Sequence, residues 1–334
     1  MVAVALALSA SSFSVSAAAR RFRRRHSAAS LMARGSSLII DTDVALDDIA
    51  TIAAASAVGA PLRLVTTTSG LAPPGEGHII ARRVMDAVDM ESVRVVAGAE
   101  APPPHVTRQK DAWEHGYSER LSSCLKLAGI DVAYTEAAPS GSAAAAADAI
   151  VDVARAAGGG TTILALGALT NLAAACERHP ADFSRHVERI IFIGDAQSRR
   201  SFNIECDPVA LGTVLRSGVD LVLVGAQCYP SPEWVSELFA GGASAAGAAP
   251  NPAAARVLRA FGEHDPYAFC YDPLALLYHL QPEAFGVAVS APVRLTDDGC
   301  LEGCDEARAT GRAAEPASVS LDAYAAFLRQ VSGL

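Results

Sequence analysis

The sequence has no apolar run long enough to span a bilayer; its first dozen residues are hydrophobic, but they are too few and arginines soon follow. It has no CxxC pair either. Its seven cysteines are scattered, and their odd number disfavours a disulfide framework, which points to a reducing compartment. Cys300 and Cys304, the closest two, read as incidental rather than as a metal site. Residues 1–37 lack any acid, whereas they hold six arginines (Arg20, Arg21, Arg23, Arg24, Arg25 and Arg34). The whole chain carries a net charge of -9, so those six positive charges leave the remainder at -15. An acidic body lacks the basic face that nucleic acid requires. No internal repeat and no clear domain boundary interrupt it. These absences leave a small-molecule protein as the class to argue for, with no nucleic-acid and no membrane partner.

What is present fits that class. The chain has 334 residues, 51% of them hydrophobic and 19% charged, enough to bury a sizeable core. The Ala-, Ser- and Arg-rich segment 1–37 has the composition of a transit peptide, which predicts a plastid or mitochondrial location. Its alternatives are a signal-peptide core at residues 1–10, with the arginines on the wrong side of it, or a disordered tail on a cytosolic protein.

The stretch that organises the rest is Leu38-Ile39-Ile40-Asp41-Thr42-Asp43-Val44-Ala45-Leu46-Asp47-Asp48. Three apolar residues read as the end of a buried strand, and four carboxylates follow within eight positions. A central parallel strand delivers such residues to the sheet's carboxyl edge, where open α/β sheets bind ligands. Four carboxylates crowded there repel one another unless a cation holds them, and oxygen-only ligation suits Ca²⁺ or Mg²⁺. The plainer alternative is a solvated acidic turn with Asp47 or Asp48 as helix N-cap.

Beyond it the pattern alternates. Strands are predicted at 61–67, 93–97, 161–166, 189–193 and 220–224. Helices are predicted near 47–58, 76–88, 142–157, after Asn171, 208–216, 253–262 and 274–280. Residues 101–141, with His105, Trp113, His115 and Tyr117, form a long excursion of the kind that builds lids or binding loops. Residues 241–252 are low in complexity, and the tail from Val287 predicts one or two antiparallel strands. The fold class is therefore α/β, a doubly wound, Rossmann-like, mostly parallel open sheet with helices on both faces, formed by residues 38–334.

Four motifs in this order resemble the inosine–uridine-preferring nucleoside hydrolase family. They are Asp41-Thr42-Asp43 with Asp47-Asp48; Gly167-Ala168-Leu169-Thr170-Asn171; Phe202-Asn203-Ile204 with Asp207-Pro208; and Tyr271-Asp272-Pro273-Leu274-Ala275. The resemblance implies a Ca²⁺ held by Asp43, Asp48, Asp272 and the main-chain carbonyl of Leu166, with Asp47 and Asn203 on ribose hydroxyls. It implies that Asp41 supports the metal ligands, and that the substrate is a nucleoside or a related pentoside. The implied reaction is hydrolysis of the N-glycosidic bond by a metal-activated water, with Asp43 as general base and inversion at the anomeric carbon. The implied assembly is a homo-oligomer.

This chain departs from the pattern at several positions. Leu71 stands where the family has a ribose-contacting Asn, Ser201 where it has Glu, and Tyr271 where a His is credited with protonating the leaving base. Arg199 and Arg200 enter the same region, where they face a 5′-phosphate or, on the simpler reading, solvent. Two alternatives follow: a non-catalytic Ca²⁺-holding paralogue that binds a nucleoside or other pentoside, and a haloacid-dehalogenase-type phosphatase, whose motif also begins Asp-x-Asp.

Overall fold

The computed structural model describes residues 37–99, 116–132, 138–194, 201–241, 251–296 and 300–334. The predicted transit segment up to residue 36, and the positions of His105, Trp113, His115, Arg199 and Arg200, lie outside the described residues.

The first half runs β1 (Leu38–Thr42), α1 (Leu46–Ala57), β2 (Leu62–Thr67), α2 (Pro74–Ala87) and β3 (Arg94–Ala97). After α3 (Ser118–Leu127) and α4 (Ala143–Ala156) it continues through β4 (Thr161–Ala165), α5 (Thr170–Arg178), α6 (Pro180–His186) and β5 (Val187–Ile193). The second half adds α7 (Phe202–Cys206), α8 (Pro208–Arg216), β6 (Asp220–Val224), α9 (Pro232–Ala240), α10 (Pro252–His264) and α11 (Pro273–Leu280). It closes with β7 (Ala291–Leu295), β8 (Leu301–Gly303), β9 (Gly311–Ala313) and α12 (Leu321–Ser332).

Strands β1 to β6 form one sheet in the order β3-β2-β1-β4-β5-β6, with every pairing parallel. This is the doubly wound arrangement expected from the alternation of elements. The strand order reverses between β1 and β4, so the crevice at their carboxyl ends is the predicted ligand position. Both strands are wholly buried, which explains why they read as unbroken apolar runs.

Helices cover both faces. One core layer joins Ile40, Val65 and Leu164 to α1, α2, α10, α11 and α12 through residues such as Ile49, Ile80, Phe261, Leu276 and Phe327. The other joins Ile39, Leu64 and Ile163 to α4, α5 and α8 through Ile150, Leu172 and Leu211.

Several expectations need correction. Inside the excursion at 101–141 the chain forms α3, anchored by buried Leu121, Cys124 and Leu125. The tail builds a three-stranded antiparallel sheet, β8-β7-β9, rather than one or two strands. Ala314, just beyond it, exchanges backbone hydrogen bonds with Leu221 and Leu223 and so covers the β6 edge. Neither Asp47 nor Asp48 is the N-cap of α1: that position is Ala45, and Asp48 lies three residues on. All seven cysteines are free. Among the described residues, no helix is long and apolar enough to cross a membrane.

Candidate active site

At the β1–β4 reversal lies an open cavity of about 520 Å³. Its floor carries Asp43, Asp47, Asp48, Leu166 and Asp272, and its walls include Leu71, Tyr117, Arg120, Phe202, Asn203, Tyr229, Tyr267 and Tyr271. Seven of the eight residues singled out from the sequence therefore meet in one place. The eighth, Asp41, sits behind them in the core.

The turn from β1 into α1 arranges the acids. Thr42 Oγ1 donates to Asp48 Oδ1 and accepts the Val44 N–H at 2.9 Å. The Ala45 N–H donates to Asp48 Oδ2 at 3.0 Å, so both oxygens of Asp48 are aimed by local chain. To make this turn Val44 adopts φ +62°, a conformation a β-branched residue takes only at a cost of about 1–3 kcal/mol. Asp43 Oδ2 accepts the Leu71 N–H at 3.0 Å. A Cβ on Gly167 would lie 3.0 Å from Asp43 Cβ, so only glycine lets the β4 end approach this closely.

Oxygen atoms of Asp47, Asp48 and Asp272 all lie within 4.8 Å of one another. This trio contains Asp47, assigned by resemblance to ribose, in place of Asp43, which lines the cavity beside it. Asp272 begins α11 but makes no side-chain cap. Its Oδ2 is buried with no hydrogen-bond partner, so the carboxylate is left for a ligand.

Burial and neighbouring acids shift these groups together. Burial first, then the Asp48 charge, holds the Asp43 carboxyl well above the usual range. Asp272 is raised by burial and by the Asp47 and Asp48 charges. Asp47 is only partly covered, yet the depth of the cavity and the Asp48 charge push it up to about 8. Among the described residues Arg120 is the only basic side chain lining the cavity, and it pairs with Asp265. Clustered oxygens, an orphaned buried carboxylate oxygen and, among the described lining residues, no basic side chain other than the Asp265-paired Arg120 together fit a hard divalent cation.

Asn203 Nδ2 donates to the carbonyls of Leu166 at 2.6 Å and Ile193 at 3.0 Å. It thereby braces the ends of β4 and β5, and only its Oδ1 remains for a substrate hydroxyl. The Leu166 carbonyl keeps a second lone pair. Asp41 Oδ1 accepts from Thr66 Oγ1 and from Asn171 Nδ2, the latter at 2.8 Å. Burial raises Asp41 to about 7 despite those bonds. Asn171 also donates to Thr67 O at 3.0 Å and accepts the Ala99 N–H at 2.9 Å, which locks the sheet beneath the acids.

The sequence alone assigns Asn171 no task, although it closes the Gly167-Ala168-Leu169-Thr170-Asn171 motif. Nor does the sequence reveal the aromatic wall. Tyr229 and Tyr271 meet edge to face with centroids 4.9 Å apart, and Arg120 lies over the Tyr267 ring.

The sequence matches the inosine-uridine preferring nucleoside hydrolase profile over residues 38–322. The chain belongs to that family. Family membership sets aside the phosphatase alternative, which left the Gly167 and Asp272 segments unexplained. Over 212 residues, 60% of this chain, it is 31% identical to the non-specific ribonucleoside hydrolase RihC of Salmonella agona (strain SL483). That match spans about 65% of the relative's own length. Among solved structures, a purine-preferring ribonucleoside hydrolase from Gardnerella vaginalis superposes with a TM-score of 0.63 at 20% identity, covering 89% of this chain and 99% of that one. A plant nucleoside hydrolase gives 0.63 at 21%, with the same coverage. At these identities the structural likeness speaks for the fold.

Proposed function

We propose that this protein hydrolyses the N-glycosidic bond of ribonucleosides in a Ca²⁺-dependent reaction. The observation that carries this reading is the convergence of Asp43, Asp47, Asp48 and Asp272 on one cavity that Phe202, Tyr229, Tyr267 and Tyr271 also line.

Asp48, Asp272, Asp43 and the Leu166 carbonyl would hold the ion, with Asp47 close enough to contribute. The bound ion supplies positive charge that acidifies water and steadies hydroxyl groups. Asp43, positioned by the Leu71 amide, takes the proton of the attacking water. Asp47 and the Oδ1 of Asn203 hold ribose hydroxyls. Positive charge growing on the sugar ring is stabilised by the same carboxylates. The departing base leaves along the aromatic wall, whose flat apolar faces suit a heterocycle. Burial raises the Tyr271 phenol further from neutrality, so it is a poor substitute for an imidazole as proton donor.

The deciding experiment is release of reducing sugar from uridine and inosine, with and without chelator. Turnover that stops on chelation supports the reading. No turnover, with Ca²⁺ and nucleoside still bound, would favour the second reading, a non-catalytic binding paralogue. Leu71, Ser201 and Tyr271 at the cavity are the features that favour it. We further propose import into a plastid or mitochondrion directed by residues 1–37, read out by the location of a full-length fluorescent fusion, and a homo-oligomeric state, read out by light scattering.

A further inference from the structure

Tyr117 stands at the head of α3, next to the cavity, and its hydroxyl oxygen accepts the Leu46 N–H at 2.8 Å. That amide belongs to the first turn of α1, where backbone donors have no partner within the helix. Ala45, at the N-cap, has no side-chain acceptor to offer. Tyr117 supplies one from 71 residues away, beside Asp47 and Asp48.

A phenol hydroxyl both accepts and donates. Its accepting side is used by Leu46, which leaves its own proton to donate, and Tyr117 and Asp47 line the same cavity. Asp47, when ionised, only accepts. An accepting carboxylate and a donating phenol lining one cavity form a pair that one alcohol can satisfy. The alcohol gives its proton to Asp47 and takes one from Tyr117.

We propose that Tyr117 is a substrate-binding residue whose hydroxyl donates to the ribose hydroxyl that Asp47 accepts from, fixing that hydroxyl from two sides. The inference rests on the nucleoside reading above and extends it to a residue that the family motifs quoted from the sequence do not include. It also assigns a function to α3, whose packing through Leu121, Cys124 and Leu125 holds Tyr117 in place. A substrate lacking that hydroxyl leaves two polar groups unpaired, the condition under which binding sites discriminate most strongly.

The test is a substrate-deletion cycle with Tyr117→Phe. This variant also removes the acceptor for the Leu46 amide, a loss common to every substrate, so the comparison between substrates isolates the donated bond. kcat/KM is measured for wild type and variant on uridine and inosine and on their 2′-, 3′- and 5′-deoxy forms. We expect the variant to lose about tenfold more on the parent nucleosides than on one of the 2′- or 3′-deoxy forms, the scale of one hydrogen bond in a site. Ca²⁺ affinity by calorimetry should stay within a few-fold. An equal loss on all substrates, no loss, or a parallel collapse of Ca²⁺ affinity overturns the proposal and leaves Tyr117 a structural brace. If wild type turns over no nucleoside, the same cycle is read by calorimetric binding of the same compounds. A hydroxyl-dependent effect there keeps the Tyr117 assignment while the hydrolase reading falls, and absence of binding overturns both.

Discussion

A Cβ placed on Gly70 would lie 2.1 Å from Asp43 Oδ2 and 2.2 Å from Asp43 Cβ. The proposed general base is thus seated directly against the backbone of the loop after β2, and its rotamer depends on the absence of a side chain there. Gly70→Ala should displace the Asp43 carboxylate. Nucleoside hydrolysis should fall by about a hundredfold or more, within the range that general bases contribute. Circular dichroism should remain native, and activity close to wild type in a folded Gly70→Ala protein would contradict the seating.

Asp43→Ala should abolish hydrolysis while the protein still folds, because burying one carboxylate fewer relieves the repulsion in the floor. The check is kcat beside a thermal melt. The expected pair of results is no turnover and an unchanged or raised Tm in chelator.

Saturating Ca²⁺ should raise Tm, since an ion bound only to the folded state adds about 2.7 kcal/mol at a hundredfold excess over Kd. Asp272→Asn should blunt that rise, because it removes the carboxylate whose Oδ2 has no partner within the described chain. Elemental analysis of purified protein without any divalent metal, joined to a flat calorimetric titration, would rule out the site.

Asp41 predicts a pH effect of definite sign. Burial raises its folded-state pKa to about 7, whereas an unfolded aspartate titrates near 3.9. Between those values the folded state holds the proton more tightly, so stability falls as pH rises from about 4 to about 7, by up to about 4 kcal/mol from this group. Asp41→Asn keeps an oxygen acceptor for Thr66 and Asn171 and cannot ionise. In chelator, its Tm advantage over wild type should grow from pH 5 to pH 8. A constant difference across that range would contradict the assignment.

The sugar specificity should be uneven. Leu71 and Ser201 line the cavity where the family pattern has Asn and Glu, so on the proposed nucleoside reading a 5′-hydroxyl should find fewer partners than the 2′- and 3′-hydroxyls assigned to Asp47 and Asn203. The 5′-deoxy nucleoside should lose only a few-fold in kcat/KM and the 2′-deoxy form far more. A loss of about a thousandfold or more for the 5′-deoxy compound would refute this.

Much of this architecture was legible in the sequence because the central strands are buried on both sides and read as short apolar runs. The acids at the end of β1 were equally plain, since the strand sets them at one edge. Helix α3 was missed because only Leu121, Cys124 and Leu125 of its ten residues are buried, too few to impose a period on a polar stretch. Helix α12 was missed although its signal was present, with Ser320 as N-cap and Tyr324, Phe327, Leu328 and Val331 on one face. What no local pattern could reveal is a meeting across the chain. Tyr117 finds the Leu46 amide, and Arg120 finds the buried Asp265 carboxylate 145 residues away, only after the sheet has brought them together.

The late arrival of Asp272 has a consequence during synthesis. A nascent chain that has reached β6 already carries all six strands of the parallel sheet, with Asp43, Asp47 and Asp48 at its edge, but the trio of close oxygens is one short. Roughly fifty more residues must emerge, and α10 must dock on α1, before α11 delivers the last acid. Until then the edge lacks one of the carboxylates proposed to hold the ion. Tight retention of the proposed ion would therefore report that the carboxyl-terminal third has docked.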